Sequence, residues 1–156
     1  MKRVLFVAST GGHLNELLQL KELFQYYDYQ IITEGGPSTK HLKDKYPNHV
    51  HYLLFGSKEH LFSYLFKFAA NCFISLYYVI RFKPNVIVST GTHTAVPICY
   101  IGKLFRSKII YIETFANVYH GNLAGKLVYP IVDEFLIQWE SLQSVYPKAK
   151  YIGKIY

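Results

Sequence analysis

Short apolar runs alternate with longer segments of helical spacing along most of this 156-residue chain. Glycine, proline and asparagine bound many of the runs, and such alternation is typical of a parallel sheet wound by crossover helices. Leu14, Leu17 and Phe24 share one face of a predicted helix, and residues 95–105 form another. The predicted strands are Val4–Ala8, Tyr29–Thr33, Val50–Leu54, Val86–Ser89, Ile109–Ile112 and Glu134–Gln138.

Three loops follow predicted strands and are rich in small and polar residues. They are STGGH at residues 9–13, STGTH at residues 89–93 and ETFAN at residues 113–117. The carboxyl ends of parallel strands meet at one edge of a sheet, where ligands bind in α/β proteins. We therefore expect the three loops to converge on one crevice.

The composition fits one compact domain over residues 1–156, with a surplus of apolar residues. Hydrophobic residues make up 51% of the chain and charged residues 17%, so an ordered chain is expected. A membrane or a partner is expected to cover the apolar surplus. The net charge of +7 suits anionic lipid, a phosphorylated substrate or nucleic acid. The lysines are scattered, so no nucleic acid partner is predicted. Cys72 and Cys99 lack CxxC spacing and are expected to be reduced, buried thiols of a cytoplasmic protein.

The segment from Leu61 to Phe82 is apolar over most of a helical circumference. Polar residues recur there at every fourth position, which gives one narrow polar stripe: Ser63, Lys67, Asn71 and Ser75. Its length approaches the roughly 20 residues that span a bilayer. A single span would place the strands on either side of it across the membrane from each other. We therefore expect a helix of about residues 60–82 that packs partly on the sheet and partly on lipid or a partner, with an ordinary core helix as the alternative.

Two residues in the predicted crevice have the chemistry of a general base. His13 follows two glycines and titrates near neutrality, although capping or packing of the first helix explains it equally well. Glu113 ends an apolar strand, where a carboxylate is expensive unless it is hydrogen-bonded, exposed or used; a solvent-facing strand end is the alternative. His93 is a candidate to orient a polar ligand, although helix capping by Thr92 or Thr94 explains much of that loop.

Metal and nucleotide motifs are weak in this sequence. The glycines of STGGH match neither GxGxxG nor GxxxxGK[ST], so no nucleotide site is predicted from them. His13, His93 and His120 lack metal-ligand spacing, so no metal site is predicted.

Taken together, four segments resemble a known family. They are STGGHLNELLQL, VIVSTGTHTAVPICYIGKL, IIYIETFANVYHGNLAGKLVYPIVDEFLIQWESL and the terminal YPKAKYIGKIY. In this order they look like the membrane-anchor subunit of the split UDP-N-acetylglucosamine transferase of the dolichol pathway, and still more like its bacterial counterparts in capsule and exopolysaccharide synthesis. More remotely they resemble the N-terminal half of the lipid-linked muropeptide N-acetylglucosaminyltransferase.

The resemblance implies a Rossmann-like α/β fold equivalent to the N-terminal acceptor half of a GT-B glycosyltransferase. It implies an accessory subunit that recruits a separate catalytic subunit carrying the UDP-sugar site, and that is inactive alone. The acceptor would be a polyprenyl-pyrophosphate-linked sugar, the transfer inverting, and this chain would hold no metal or cofactor. The location would be the cytoplasmic face of the cell membrane, on an anionic surface.

The resemblance also assigns residues. It matches Gly11, Gly12 and His13 to the acceptor-side glycine turn, residues 91–93 to the second loop and Glu113 to the acidic loop position. The predicted base is His13 or Glu113, since an inverting transfer needs a base for the acceptor hydroxyl. The residues predicted to bind the acceptor are Gly11, Gly12, Asn15, Gly91, Thr92, His93 and Asn117. The tail predicted to contact the catalytic partner comprises Gly153, Lys154, Ile155 and Tyr156.

Two departures from the family leave questions open. The eukaryotic subunit carries an N-terminal transmembrane helix, whereas this chain begins with its first predicted strand, so membrane attachment would fall to Leu61–Phe82. The loop sequence THTAVP also differs, so the identity of the acceptor does not carry over. The main rival is a self-sufficient small UDP-sugar glycosyltransferase that works as a homodimer, and a further alternative is a membrane scaffold with a vestigial crevice.

Overall fold

Seven parallel strands form one sheet in the computed structural model, which describes residues 1–56 and 61–155 and omits the side chains of residues 61–64. The strands are β1 (Arg3–Ala8), β2 (Asp28–Glu34), β3 (Val50–Leu53), β4 (Val86–Gly91), β5 (Lys108–Ile112), β6 (Glu134–Ile137) and β7 (Lys150–Tyr151). Their order across the sheet is β3-β2-β1-β4-β5-β6-β7, which is Rossmann-like. The predicted fold class is confirmed, and only β7, two residues long, escaped prediction.

In the described ranges 1–56 and 61–155, five α-helices connect the strands, together with short 3-10 segments. The helices are α1 (Gly12–Gln19), α2 (Leu42–Lys45), α3 (Leu61–Phe82), α4 (Ala95–Leu104) and α5 (Leu123–Val128). The 3-10 segments are Leu20–Tyr26, Pro37–Thr39 and Glu140–Ser144. The first of these takes up the second half of the predicted N-terminal helix, so Phe24 is buried from a 3-10 turn and not from α1.

The core has two layers because side chains alternate along each strand. On β1, Leu5 and Val7 face a core shared with α4 and the inner side of α3, whereas Val4 and Phe6 face the core under α1. Helix α3 packs against α4, and α4 packs against α5, so these three helices cover the same face of the sheet.

Helix α3 buries polar residues and exposes apolar ones, the reverse of an ordinary surface helix. Two residues of its polar stripe are buried, Asn71 with 2% exposure and Ser75 with none. Five of its large apolar residues are exposed: Leu65, Phe66, Phe73, Tyr77 and Ile80. By length and composition Leu65–Phe82 is apolar enough to cross a membrane, and 17% of it is buried. It is therefore not an ordinary core helix.

Asn71 explains why the stripe turns inward. Its side-chain amide donates to the backbone carbonyl of Leu54 at 2.8 Å and accepts from the backbone N–H of Leu54 at 2.8 Å. These bonds satisfy both backbone groups of the residue that follows β3, where the sheet ladder stops. Asn71 therefore fixes the rotation of α3 about its axis, and its apolar residues are left outside.

Candidate acceptor site

The three predicted loops lie at the carboxyl edge of the sheet, around the point where strand order reverses between β1 and β4. The backbone N–H of Ser9 donates to the carbonyl of Gly91 at 3.0 Å and joins the first two loops. Gly11 has φ +77°, a left-handed conformation that glycine adopts at low cost, and α1 begins directly after it. Gly11, Gly12 and Asn15 are exposed at the start of this helix.

His13 is held in one orientation by Thr90 at the end of β4. The ring Nδ1 lies 2.7 Å from the carbonyl oxygen of Thr90, and the Thr90 hydroxyl donates to the carbonyl of His13 at 2.7 Å. A carbonyl only accepts, so Nδ1 carries the proton and Nε2 of the neutral ring has a free lone pair. Within the part of the chain that the structure describes, Nε2 takes part in no recorded hydrogen bond. The half-buried ring is therefore arranged as a proton acceptor.

Gly91 has no side chain, and this leaves room for the His13 ring. Its φ is +102°, and a Cβ placed there would lie 3.1 Å from Nδ1 of His13 and 3.2 Å from the hydroxyl of Tyr111. Thr92 and His93 follow, half-buried, with Thr92 Oγ1 at 3.4 Å from Nδ1 of His93. Thr94 occupies the N-cap position of α4 but makes no side-chain capping bond. Capping by Thr94 therefore does not account for this loop.

Glu113 is fully buried at the end of β5 and organises the third loop. One carboxylate oxygen accepts from the Thr114 N–H, from Asn117 at 3.2 Å and from Asn122 at 2.6 Å. The other accepts from the hydroxyl of Tyr146 at 2.8 Å. Burial raises the pKa of Glu113, and these hydrogen bonds oppose the rise. Glu113 is 0% exposed, so the alternative of a solvent-facing strand end is wrong. The geometry shows a carboxylate that holds the loop together, and its role as a base stays a prediction.

Two further buried carboxylates flank the His13 loop, and the sequence analysis missed both. Glu16, with 2% exposure, lies three residues after His13 on α1 and accepts from the Thr114 hydroxyl at 2.9 Å and from the Phe115 N–H at 2.6 Å. Glu34, with 3% exposure, accepts from the N–H and hydroxyl of Thr10, each at 3.4 Å. Glu34 ends an apolar strand, which is the same signal that singled out Glu113. Glu16 carried no comparable signal.

The comparison of the sequence with protein families decides what kind of chain carries this site. A family described as "Oligosaccharide biosynthesis protein Alg14 like" matches residues 57–155. The chain belongs to this family. It is also 30% identical, over 98% of its own length and 82% of the relative's, to the UDP-N-acetylglucosamine transferase subunit ALG14 of Mus musculus. The suspected family is thus confirmed.

Solved structures support the fold. MurG of Acinetobacter baumannii superposes with a TM-score of 0.77 at 15% identity, over 99% of this chain and 46% of that one. UDP-N-acetylglucosamine 2-epimerase from Rickettsia bellii gives 0.74 at 11% identity, over 99% and 45%. This Alg14-like chain therefore spans about half the length of either structure and has the fold of that half.

The C-terminal tail, assigned to the partner interface by resemblance, runs beside the third loop. The N–H of Ile155 donates to the side-chain carbonyl of Gln138 at 3.1 Å. The ammonium of Lys154 lies 4.9 Å from the ring centre of Trp139 and 5.5 Å from that of Phe115. Gly153 has φ +74° and turns the chain, and Tyr156 lies outside the described residues. The tail's role in partner binding stays a prediction, at a position on the rim of the site.

Within the described residues, no group of three His, Cys, Asp or Glu side chains is arranged to hold a metal ion. Among the residues predicted to bind acceptor, the structure groups Gly91 with His13, and Asn117 with Glu113. The His13 and Glu113 regions are joined through Glu16 and Thr114, not by direct contact between the two predicted bases.

Proposed function

We propose that this chain is the acceptor-binding, accessory subunit of a two-chain glycosyltransferase. It holds a polyprenyl-pyrophosphate-linked sugar and recruits a separate subunit, which binds the UDP-sugar, to the cytoplasmic face of the membrane. The observation that carries this proposal is the carboxyl edge of the sheet, where a glycine turn and an oriented histidine lie together. The chain that carries them has the fold of one half of a larger enzyme. The mouse relative is named a transferase subunit, and the chain matches 46% of the MurG chain.

The glycine turn suits the pyrophosphate of the acceptor. Gly11 and Gly12 are exposed, no side chain caps α1, and its first turn holds no acidic residue. The unpaired backbone N–H groups and the positive end of the helix dipole favour an anion at this position. The acceptor's first sugar would then extend toward His13 and the β4 loop.

His13 acts in this proposal as the base for an inverting transfer. Nε2 takes the proton of the acceptor hydroxyl while the hydroxyl oxygen forms a bond to the anomeric carbon of the donor. The bond from that carbon to UDP breaks, and the UDP oxygen keeps the electron pair. No metal or cofactor of this chain takes part.

The outward apolar face of α3, defined as Leu65, Phe66, Phe73, Tyr77 and Ile80, attaches the chain to the membrane surface. Strands β3 and β4, before and after α3, belong to one sheet, so α3 lies on the bilayer and does not cross it. Tyr100 and Leu104 of α4 add further exposed apolar area on the same side of the sheet. Arg81, exposed at the end of α3, and the net charge of +7 favour anionic headgroups.

We extend the proposal to polysaccharide biosynthesis of the capsule or exopolysaccharide type. The resemblance of the sequence to bacterial chains of that kind supports this extension. The mouse relative reported above is named for UDP-N-acetylglucosamine transfer.

A reconstitution tests the division of labour. The chain is purified alone and together with a separately expressed nucleotide-sugar half-domain, sought first in the neighbouring reading frames. Labelled UDP-sugar and polyprenyl-pyrophosphate-linked sugar are supplied in vesicles that contain anionic lipid. We expect transfer only with both subunits and no calorimetric signal for UDP-sugar with the chain alone. UDP-sugar binding and transfer by the chain alone would favour the homodimeric enzyme instead.

Two matched histidine variants test the site in the same assay. His13→Gln should lower transfer by about 100-fold or more, the range of general-base catalysis. His41→Gln alters an exposed histidine outside the crevice and should leave transfer unchanged. Unchanged transfer by an intact complex that carries His13→Gln would remove any chemical role for His13 and support a scaffold.

A further inference from the structure

Gln138 is a buried amide that lies between the C-terminal tail and the third loop. It follows β6 directly, and its side chain is fully buried. Its side-chain carbonyl accepts from the N–H of Ile155 in the tail at 3.1 Å, and its Nε2 donates to the backbone carbonyl of Glu113 in the third loop at 3.0 Å. Burial of an amide is costly unless its polar groups are hydrogen-bonded, so Gln138 is satisfied only when the tail and the loop are both in place.

The bond to Glu113 fixes the backbone at the start of the third loop. The ladder between β5 and β6 ends where the N–H of Glu113 donates to the carbonyl of Leu136 at 2.9 Å. The Glu113 carbonyl lies beyond this ladder, and a buried carbonyl needs a donor, which Gln138 supplies. The carboxylate of the same residue accepts from Asn117 at 3.2 Å. Gln138 thus holds the backbone of the residue whose side chain holds Asn117, a predicted acceptor-binding residue.

The tail depends on the same amide for its order. Among the described residues, the bond from Ile155 to Gln138 is the one recorded hydrogen bond of the tail. The ammonium of Lys154 adds contacts with the rings of Trp139, at 4.9 Å, and Phe115, at 5.5 Å. Trp139 in turn donates its indole N–H to the carbonyl of Phe115 at 2.8 Å. Both polar attachments of the tail therefore lead to the third loop.

We propose that Gln138 is a positioning residue that couples docking of the catalytic subunit on the tail to the order of the third loop. The inference rests on the proposed function, because it takes the tail as a partner contact and the third loop as part of the acceptor site. When the partner fixes the tail, the N–H of Ile155 stays on Gln138 and the amide of Gln138 stays on Glu113. The acceptor then binds a loop that is already ordered, so the two binding events favour each other.

Hydrogen exchange in the chain without a partner tests the link itself. Gln138→Met keeps a similar volume but lacks both polar groups. It should speed exchange of the Asn117 N–H, which donates to the carbonyl of Thr114 at 3.1 Å, by about fivefold, the effect of one hydrogen bond. Gln25→Met is the control, because exposed Gln25 donates to the carbonyl of Glu22 in the 3-10 segment after α1 and should leave this exchange unchanged.

A change in the tail separates the link from the packing around Gln138. Ile155→Pro removes the N–H and leaves Gln138 intact, whereas Ile155→Val keeps the N–H. We expect faster exchange at Asn117 in Ile155→Pro only. Ile155 is half-buried and lies outside the sheet, so Ile155→Pro should fold even where Gln138→Met does not. Equal exchange at Asn117 in Ile155→Pro and Ile155→Val would overturn the proposal.

Exchange in the two-chain complex tests the coupling. Addition of the nucleotide-sugar half-domain should slow exchange at Asn117 by about fivefold or more in the wild type and in Gln25→Met. In Gln138→Met, saturation with the half-domain should slow it by less than about twofold. A half-domain that binds the wild type without slowing this exchange would overturn the coupling.

Transfer kinetics show whether the positioning matters for the reaction. In Gln138→Met the KM for the polyprenyl-pyrophosphate-linked sugar should rise by about fivefold, with the KM for UDP-sugar unchanged. An equal rise in both constants would indicate a general loss of structure and count against a positioning role. Failure of the half-domain to bind would refute the proposed function and with it the coupling, even where exchange in the isolated chain shows that Gln138 joins the tail to the loop.

Discussion

Helix α3 and the crevice both bury polar residues, but only α3 also exposes large apolar ones. On α3 the polar residues Asn71 and Ser75 are buried while Phe66 and Phe73 are 78% and 73% exposed. In the crevice three carboxylates are buried, Glu16, Glu34 and Glu113, next to exposed glycines. Each arrangement is unfavourable for an isolated chain in water.

The difference teaches what each region lacks. Both polar atoms of the Asn71 amide are hydrogen-bonded to Leu54, so α3 is anchored on its inner side and needs an apolar environment outside. Glu113 accepts from four donors, whereas Glu16 keeps one buried oxygen without a partner among the described residues. We infer that the apolar surface awaits a membrane, whereas the four hydrogen bonds of Glu113 complete the third loop without any added group.

The largest effect is expected from charging the outward face of α3. Phe66→Glu together with Phe73→Glu should weaken binding to anionic vesicles by at least about 100-fold, because burial of each phenyl ring contributes about 1.5–3 kcal/mol. Both side chains are exposed, so the thermal midpoint in solution should stay unchanged or rise. Flotation with vesicles and thermal denaturation measure the two effects.

Tyr26→Glu is the control for this introduction of negative charge. Tyr26 is 63% exposed but lies in the 3-10 segment after α1, on the opposite face of the sheet. Its replacement should leave vesicle binding intact. Equal loss from both variants would mean that charge alone, and not the face of α3, controls attachment; retained binding by the double variant would show that a partner protein covers α3 instead.

In the crevice, Gly91→Ala should lower the free energy of unfolding by about 2–3 kcal/mol. A β-carbon is strained at φ +102° and would press on Nδ1 of His13. Gly12→Ala, at a position with open space and ordinary φ, should be neutral or slightly stabilising. Urea denaturation measures both variants, and equal stability of the two would contradict the close fit between Gly91 and the ring.

The inward stripe of α3 provides a third comparison. Asn71→Ala removes both bonds to the backbone of Leu54 and should cost about 2 kcal/mol, with vesicle binding unchanged once the chain is folded. Ser75→Ala removes a buried hydroxyl with no recorded partner, so stability should stay the same or increase. If Asn71→Ala proved as mild as Ser75→Ala, the rotation of α3 would have another cause.

Most of the fold was predictable from local sequence. Six strands were placed within one or two residues because apolar runs bounded by turns carry a strong periodic signal. The two-residue strand β7 is too short to show alternation. The length of α3 was predicted, but the direction of its polar stripe depends on the backbone of Leu54, seventeen residues earlier, which periodicity does not register.

The site was predictable only in part, for a similar reason. Glycine turns and strand ends marked His13, Gly91 and Glu113. Glu16 is buried because it accepts from Thr114 and Phe115, which are 98 and 99 residues away, and no local pattern shows such a partner. The hydroxyl that satisfies Glu113 likewise comes from Tyr146, 33 residues further along the chain. Local sequence thus located the loops, whereas tertiary hydrogen bonds decide which acids are satisfied.

The smallest expected effect is a pH dependence that separates Glu113 from an exposed acid. Burial raises the pKa of Glu113 above its unfolded value of 4.5, so the folded state binds a proton more tightly and loses stability as pH rises above that value. Glu113→Gln removes this loss. The thermal midpoint of Glu113→Gln minus that of wild type should therefore increase between pH 4.5 and pH 7, by a few degrees at most. Glu140→Gln, exposed after β6, should show no such trend. A midpoint difference that stays constant over this range would contradict this expectation. It would mean that the four donors fully offset the effect of burial on the pKa of Glu113, and that Glu113 is ionised while it holds the loop together.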